Sequence, residues 1–332
     1  MKKLPLLFEE IYSNIFMIRL PFYENPGPIN VFLFIGQKTT LVDTGIKATS
    51  KILKTALEQK GLFFSDIAQI VLTHGHPDHY GAAQIIRNSS NAVTMAHEDD
   101  KRYIEKGRDI SPKQSRQMLS ILGIPKLYQF SMPIMDMMYK RWADNFLVDK
   151  VIHDSDSLVL GDYQATVIST PGHSKGSVCL FLEKEGILFS GDHIMNHMQP
   201  NPFVMLEEGH LLPRRMSQIE YYASIEKIER LKPQIIYPGH GEAVRDISPI
   251  INTYQARFKK RQHGILNTVK SAGLTPYEIA LHLFPRLKGR RFFFNIVFAV
   301  SEVFTHLQVL EHEKKVVSYL DNGKLLFEAS GN

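Results

Sequence analysis

A group of four side chains that bind metal ions well lies near the end of the first quarter of the sequence. His74, His76, Asp78 and His79 directly follow the apolar segment 67–73, which predicts a buried strand. A glycine and a proline between them prevent the strand or a helix from continuing, so the segment predicts a loop at a strand end. Imidazole and carboxylate at this density indicate a site for a divalent metal ion such as zinc.

Three later segments repeat this arrangement. His173, Asp192 and His240 each follow a predicted strand and a turn-forming glycine. Loops at strand ends are where α/β proteins usually carry their chemistry. Each segment alone is typical of an ordinary turn, but together with the first motif they predict one shared site.

The spacing of these residues resembles the pattern of the metallo-β-lactamase superfamily, which is His-x-His-x-Asp-His followed by a distant His, an Asp and a final His. The resemblance covers about residues 14–244. It implies an α/β fold, an αββα sandwich with the metal ions at one edge. It also implies seven ligands, three for a first ion, three for a second and one that bridges both. They are, in that order, His74, His76 and His173, then Asp78, His79 and His240, then Asp192.

The resemblance gives one further residue a role beside the ions. Asp43 matches a family position that usually supports the site, which agrees with the need of a ligating imidazole for a carboxylate or carbonyl partner. An ordinary turn at a strand end is the alternative for Asp43.

A binuclear centre would supply its own nucleophile. Two cations lower the pKa of a water held between them, so that hydroxide forms near neutral pH, and they polarise the bond under attack. Asp78 can orient the hydroxide and pass a proton to the leaving group. His193 is a candidate proton donor or substrate contact at the mouth of the site, and a histidine satisfied by local hydrogen bonds is the alternative. We expect two divalent ions, with zinc favoured over manganese or iron.

The sequence predicts a catalytic domain at residues 1–247 and a linker helix with a winged-helix domain at residues 248–332. In the second part, Thr275 is predicted to cap a helix over 276–284, a helix follows over 293–313, and strands at 316–320 and 324–328 form a hairpin. Within the first part, residues from about 98 to 150 are predicted to be a helical insertion, either a lid over the substrate or a homodimer interface.

Composition limits the remaining classes. The chain has 332 residues, a formal net charge of +5 and a pI near 9.0, which favours an anionic substrate but is far from a nucleic-acid signature. Its single cysteine, Cys179, excludes an intramolecular disulfide and is typical of a reducing compartment. No apolar stretch reaches membrane-spanning length, so we expect a cytoplasmic protein without membrane contact.

The predicted reaction is hydrolysis of a small acyl substrate, a thioester or a lactone. The winged helix, the segment 191–195 and the segment 200–202 are similar to a branch that includes hydroxyacylglutathione hydrolases, although the gap between His79 and His173 is longer here. One alternative is an endoribonuclease or phosphodiesterase that binds RNA through the winged helix and the basic segments 259–261 and 288–291. Another is a mononuclear iron dioxygenase acting on persulfides.

Overall fold

The computed structural model describes residues 7–107, 111–129, 131–200, 210–270, 273–285 and 292–331. These residues form two compact units. The first contains the described parts of Met1–Gly107, Tyr139–Pro200 and Ala223–Ile247. The second contains those of Arg108–Met138, Asn201–Tyr222 and Ser248–Asn332. The last change of unit coincides with the predicted boundary at residue 247, whereas residues 108–138 of the predicted insertion pack with the C-terminal segment.

Two sheets form the centre of the first unit. The first sheet has the strands β1 (Phe8–Tyr12), β2 (Ile15–Leu20), β3 (Ile29–Phe34), β4 (Thr40–Val42), β5 (Gln69–Val71), β6 (Val93–His97) and β7 (Lys150–Ile152), in this spatial order. The second has β12 (Ile235–Pro238), β11 (Ile187–Gly191), β10 (Val178–Leu182), β9 (Tyr163–Ser169) and β8 (Ser157–Leu160). The α/β architecture with two facing sheets agrees with the prediction.

The alternation of side chains along the strands builds two cores. In β2, Ile15 and Met17 point into the core between the two sheets, and Phe16 and Ile18 point into the core on the other face. Such alternation follows from the two-residue period of a strand. The outer core also contains apolar residues of the helices α1 (Ser50–Gln59), α3 (Ala83–Arg87) and α4 (Glu98–Lys106).

Strand direction explains why the metal-binding side chains meet. β4, β5, β6 and β7 are parallel, so their carboxyl ends lie at one edge of the first sheet. β11 and β12 are parallel, and β9 runs in the same direction because it is separated from β11 by one antiparallel strand. Asp43 and the 74–79 loop follow the first group of strands, and His173, Asp192 and His240 follow the second.

The helices that remain are α2 (Pro77–Tyr80), α5 (Pro112–Ile121), α6 (Ser131–Trp142), α7 (Ser217–Leu231), α8 (Ser248–Thr268), α9 (Pro276–Leu283) and α10 (Phe292–His312). In the second unit, the hairpin of β13 (Val316–Asp321) and β14 (Lys324–Ala329) follows α10. Thr275 caps α9 with a capping box, in which its hydroxyl accepts from the Glu278 amide at 3.2 Å and its backbone amide donates to the Glu278 carboxylate at 2.9 Å. The predicted capping by Thr275, the following helices and the hairpin are confirmed.

Two strand predictions were incomplete. The sequence predicts one strand over 151–160, but β7 and β8 lie in different sheets, and the chain turns in the polar middle of the segment at Ser155, which has a φ of 67°. The edge strand β1 was not predicted, because its polar and half-buried residues carry a weak alternation. The segment 288–291, residues 201–202 and parts of the insertion lie outside the described residues.

The length and polarity of the helices bear on membrane insertion. Within the described ranges, every helix is too short or too polar to cross a bilayer.

Phe189 is the residue on which the core between the sheets depends most. Its ring lies 4.7 Å from Phe32 and 5.2 Å from Phe34 of the first sheet, and it is fully buried. We expect Phe189→Ala to lower the free energy of unfolding by about 3–5 kcal/mol, because it leaves a cavity between the sheets. Urea unfolding followed by the fluorescence of Trp142, the only tryptophan, measures this loss. The exposed Val159→Ala should change it by less than about 0.5 kcal/mol, and equal effects would contradict the packing described.

Candidate metal centre

Three imidazoles form the first group of ligands. The His76 Nδ1 atom lies 3.0 Å from His74 Nε2 and 2.9 Å from His173 Nε2. His74 and His173 are buried, and His76 is partly exposed. Three ring nitrogens that face one another at this spacing have room for an ion bound to all of them, and the geometry matches the first predicted set.

The second group contains one carboxylate and two imidazoles. His240 Nε2 lies 3.3 Å from His79 Nε2 and 3.5 Å from Asp78 Oδ2. The distance from Asp78 Oδ2 to His79 Nε2 is 3.9 Å. Both histidines are fully buried, whereas 13% of the Asp78 side chain is exposed. The structure therefore also brings the second predicted set together.

Asp192 lies between the two groups and faces both. Its Oδ1 atom is 3.4 Å from His79 Nε2 and 3.7 Å from His240 Nε2, and its Oδ2 atom is 3.7 Å from His173 Nε2. Oδ1 is buried without a hydrogen bond of normal geometry to any described residue. A buried carboxylate oxygen in this state is costly unless a cation balances it. Asp192 thus fits a ligand shared by two ions.

Hydrogen bonds on the far side of the rings orient three of the imidazoles. His79 Nδ1 donates to Asp43 Oδ2 at 2.8 Å, and His240 Nδ1 lies 2.9 Å from the carbonyl oxygen of Gly27. His74 Nδ1 lies 3.1 Å from the Thr73 hydroxyl, which itself donates to Asp43. In each ring the donating Nδ1 leaves the Nε2 lone pair free for a metal ion.

The loop after β4 positions Asp43 for this task. Asp43 has a φ of 59°, a left-handed conformation that aspartate tolerates better than most residues. The Thr73 amide and hydroxyl both donate to its carboxylate, at 2.9 and 2.8 Å. The Thr44 amide and hydroxyl bind the carbonyl oxygen of His79 at 2.7 and 3.0 Å. The loop therefore holds His79 by its ring and by its backbone.

A glycine allows the 238–240 turn to approach the centre. A Cβ atom on Gly239 would lie 2.6 Å from Asp192 Oδ1 and 2.8 Å from the ring of His79. Any side chain at this position would displace one of these two groups. The turn glycine before His240 is thus a requirement of the site.

The electrostatics of the centre keep the carboxylates ionised. Burial alone would raise the pKa of Asp192, but His240 and His79 outweigh it and hold the pKa well below its usual value. Burial opposes protonation of His79, yet Asp192 and Asp43 raise its pKa well above the usual value, so a metal ion that binds Nε2 would displace a proton from it. For Asp78, His79 and His240 overcome the effect of burial and lower the pKa to about 2. Ionised carboxylates are the form that binds cations.

His193 does not lie at the mouth of the site, where we predicted it. Only 1% of its surface is exposed. Burial lowers the pKa of His193 to about 3. A catalytic role of His193 and the alternative of a histidine satisfied by local hydrogen bonds both stay predictions.

Asp100 is a buried carboxylate that contacts the loops of the centre and that was not predicted from the sequence. Asp100 is 2% exposed and lies in the first turn of α4. Acidic residues in a first helical turn are common, so the triplet at 98–100 gave no specific signal. Strand order would have found it, because α4 directly follows β6, the parallel neighbour of the strand that precedes His74.

Fold and site together define a protein that can hold metal ions through histidine and aspartate at the edges of two facing sheets. The family model of the Metallo-beta-lactamase superfamily matches residues 25–240 of the chain. The chain belongs to this superfamily.

Individual relatives agree with this assignment. The chain is 25% identical, over 95% of its length and 98% of the relative's, to the "Probable metallo-hydrolase YqjP" of Bacillus subtilis. It is 20% identical to an "Atrochrysone carboxyl ACP thioesterase" of Aspergillus fumigatus. That match spans 76% of this chain and 47% of the thioesterase. Its fold is similar to a metallo-beta-lactamase family protein of Thermus thermophilus, with a TM-score of 0.80, 23% identity and coverage of 96% and 99% of the two chains.

The contacts of Asp43 give a prediction on metal affinity. We expect Asp43→Asn to weaken metal binding about 10–100-fold, because the amide cannot replace both the acceptor for His79 and the acceptors for Thr73. Competition with a chromogenic chelator measures the affinity for Zn²⁺. Asp144→Asn changes an exposed aspartate that pairs with Lys47 and should leave the affinity as it was. Unchanged affinity in Asp43→Asn would show that the carboxylate does not support the centre.

Proposed function

We propose that the protein is a binuclear metal-dependent hydrolase that acts on a small acyl substrate, a thioester or a lactone. The observation that carries the proposal is the position of Asp192, whose two oxygens face two separate groups of ligands. A carboxylate placed in this way suits two ions that share one ligand. Zinc is the favoured ion, because the donors are five imidazoles and two carboxylates.

When bound, a pair of divalent ions supplies an activated water and polarises the carbonyl group under attack. The residues of the chain then bind and orient. His76 and Asp78 are the ligands that are not fully buried, so the substrate approaches on their side. Asp78 is ionised and partly exposed, so its carboxylate can orient the attacking water and relay a proton to the leaving group, and its pKa of about 2 means that it would hold that proton only briefly.

The relatives support hydrolysis of an acyl substrate. One is named as a probable metallo-hydrolase and matches nearly the whole chain, and another is named as a thioesterase that acts on an acyl carrier protein. A thioester has a good leaving group and needs little acid catalysis.

The helices and hairpin of the second unit fit the proposed winged-helix domain. The order α8, α9, α10 and hairpin is typical of such a domain, and we propose it as a mark of the hydroxyacylglutathione hydrolase-like branch. We further propose a cytoplasmic protein, with residues 1–247 and 248–332 as its domains and the segment 98–150 as a lid or homodimer interface.

Hydrolysis of RNA or another phosphodiester is the second candidate. In the described basic segment 259–261, Lys259 and Lys260 are exposed, but Arg261 is engaged within the second unit. Arg261 pairs with Glu302 at 2.7 Å and stacks on the ring of Phe284 at 4.1 Å. Its guanidinium is therefore used within the unit and is not available to phosphates. A mononuclear persulfide dioxygenase would need a single iron ion. The second group and Asp192 together offer ligands for a second ion, which argues against this alternative.

A substrate panel tests the proposal. Protein reconstituted with Zn²⁺, Mn²⁺ or Fe²⁺ is assayed on acyl thioesters, lactones, bis-p-nitrophenyl phosphate, short RNA and glutathione persulfide. We expect turnover of a thioester or lactone that a chelator abolishes and Zn²⁺ restores. Cleavage of RNA alone, or oxygen consumption with persulfide, would overturn the acyl substrate.

The shared ligand gives the corresponding mutational prediction. Asp192→Ala should reduce turnover on the best substrate at least about 100-fold and lower the bound metal, because both ions lose a ligand. Plasma emission spectrometry gives the metal content. Asp144→Ala removes an exposed carboxylate paired with Lys47 at 2.8 Å and should keep full metal and turnover. Full turnover in Asp192→Ala would refute the bridging role.

A further inference from the structure

Asp100 is a buried carboxylate whose hydrogen bonds all come from two loops of the metal centre. Its Oδ2 atom accepts from the Gly75 amide at 2.7 Å and from the Ser174 hydroxyl at 2.6 Å. Its Oδ1 atom accepts from the Gly176 amide at 2.8 Å. Three short bonds to a charged acceptor are stronger than bonds between neutral groups.

These donors flank the ligands of the first group and no others. Gly75 stands between His74 and His76, and the segment from Ser174 to Gly176 directly follows His173. A single carboxylate thus fixes the backbone on both sides of the first group. The second group has a different support, since Asp43 binds the ring of His79.

Close packing makes this connection rigid. A Cβ atom on Gly75 would lie 3.2 Å from the Asp100 Cβ atom, and one on Gly176 would lie 2.6 Å from the Asp100 backbone nitrogen. Glycine at both positions lets the two loops close around the start of α4. A shift of Asp100 would therefore move His74, His76 and His173 relative to one another.

The neighbouring aspartate provides a natural comparison. Asp99 binds the same loop through Lys175, with a distance of 2.7 Å between Oδ1 and Nζ. This pair is exposed, with 54% of the lysine and 34% of the aspartate side chain accessible, so its contribution to stability is small. The loop after His173 thus contacts the buried Asp100 and the exposed Asp99, which are neighbours in the sequence.

We infer that Asp100 is a positioning residue for the first metal site, the one formed by His74, His76 and His173. It holds the two loops at the spacing that an ion requires, whereas Asp43 binds His79 of the second site directly and reaches the first site only through Thr73 and His74. The inference rests on the proposed metal centre and is independent of the substrate.

Metal titration of the full-length protein tests this selectivity. Zn²⁺ affinities are measured by calorimetry and by chelator competition, and Co²⁺ absorption reports the ligand geometry. His173→Ala and His240→Ala first identify the signals of the first and second sites. We expect Asp100→Asn to weaken the site sensitive to His173→Ala by about 10–100-fold and to change the other by less than about threefold. The matched Asp99→Asn should retain both sites.

A milder variant keeps the test decisive if Asp100→Asn does not fold. Ser174→Ala removes one donor to Asp100 without adding a buried donor, and it should weaken the same site by a smaller factor. Weakening of the site sensitive to His240→Ala, or equal weakening of both, would overturn the inference. Unchanged affinity at both sites in these variants would overturn it as well. If the unaltered protein bound no ion, the proposed metal centre would fail together with the inference.

Discussion

The crowding of five imidazoles and two carboxylates in one buried place is the constraint on which the rest of the structure depends. The ligand atoms of the first group lie within 4.8 Å of one another, and so do those of the second group. The same holds for His74, His79 and Asp192. Burial removes the water that would otherwise solvate the carboxylates, and Asp192 Oδ1 receives no hydrogen bond from a described residue to compensate. Such an arrangement is stable only when cations balance it or when the surrounding fold resists its separation.

The fold provides this resistance through contacts between the two sheets. Phe189 packs on phenylalanines of the first sheet, and the buried Asn30 side chain donates to the carbonyl oxygens of Pro238 and Gly241 on either side of His240. The backbone amide of Asn30 also donates a hydrogen bond to the carbonyl oxygen of Gly239 at 2.7 Å. The turn that carries His240 is thereby fixed to β3, and the second group of ligands cannot open without breaking these bonds.

The sequence predicted the ligands well because each stands in a local pattern of strand, glycine and polar side chain. The set of seven residues and Asp43 could be named before their distances were known, and the structure brings them together. Residues without a local pattern were missed or misplaced. Asp100 looks like an ordinary residue of a first helical turn, and the sequence around His193 does not indicate that its side chain is buried.

Chain organisation was harder to predict for the same physical reason. The turn at Ser155 sends β7 and β8 into different sheets, although residues 151–160 were predicted as a single strand. Residues 108–138 look like an insertion into the catalytic part, but they pack with the C-terminal segment. The backbone amide of Tyr277, for example, donates to the carbonyl oxygen of Leu122 at 3.1 Å. Contacts between distant segments leave no periodic signal in either segment.

Anomalous diffraction from zinc-loaded crystals, recorded on both sides of the zinc absorption edge, tests the central claim most directly. Two peaks are expected, one about 2.0–2.2 Å from the ring nitrogens of His74, His76 and His173, and one at the same distance from His79 and His240. Asp192 should have one oxygen within coordinating distance of each peak. A single peak, or two peaks that Asp192 does not join, would contradict the shared binuclear centre.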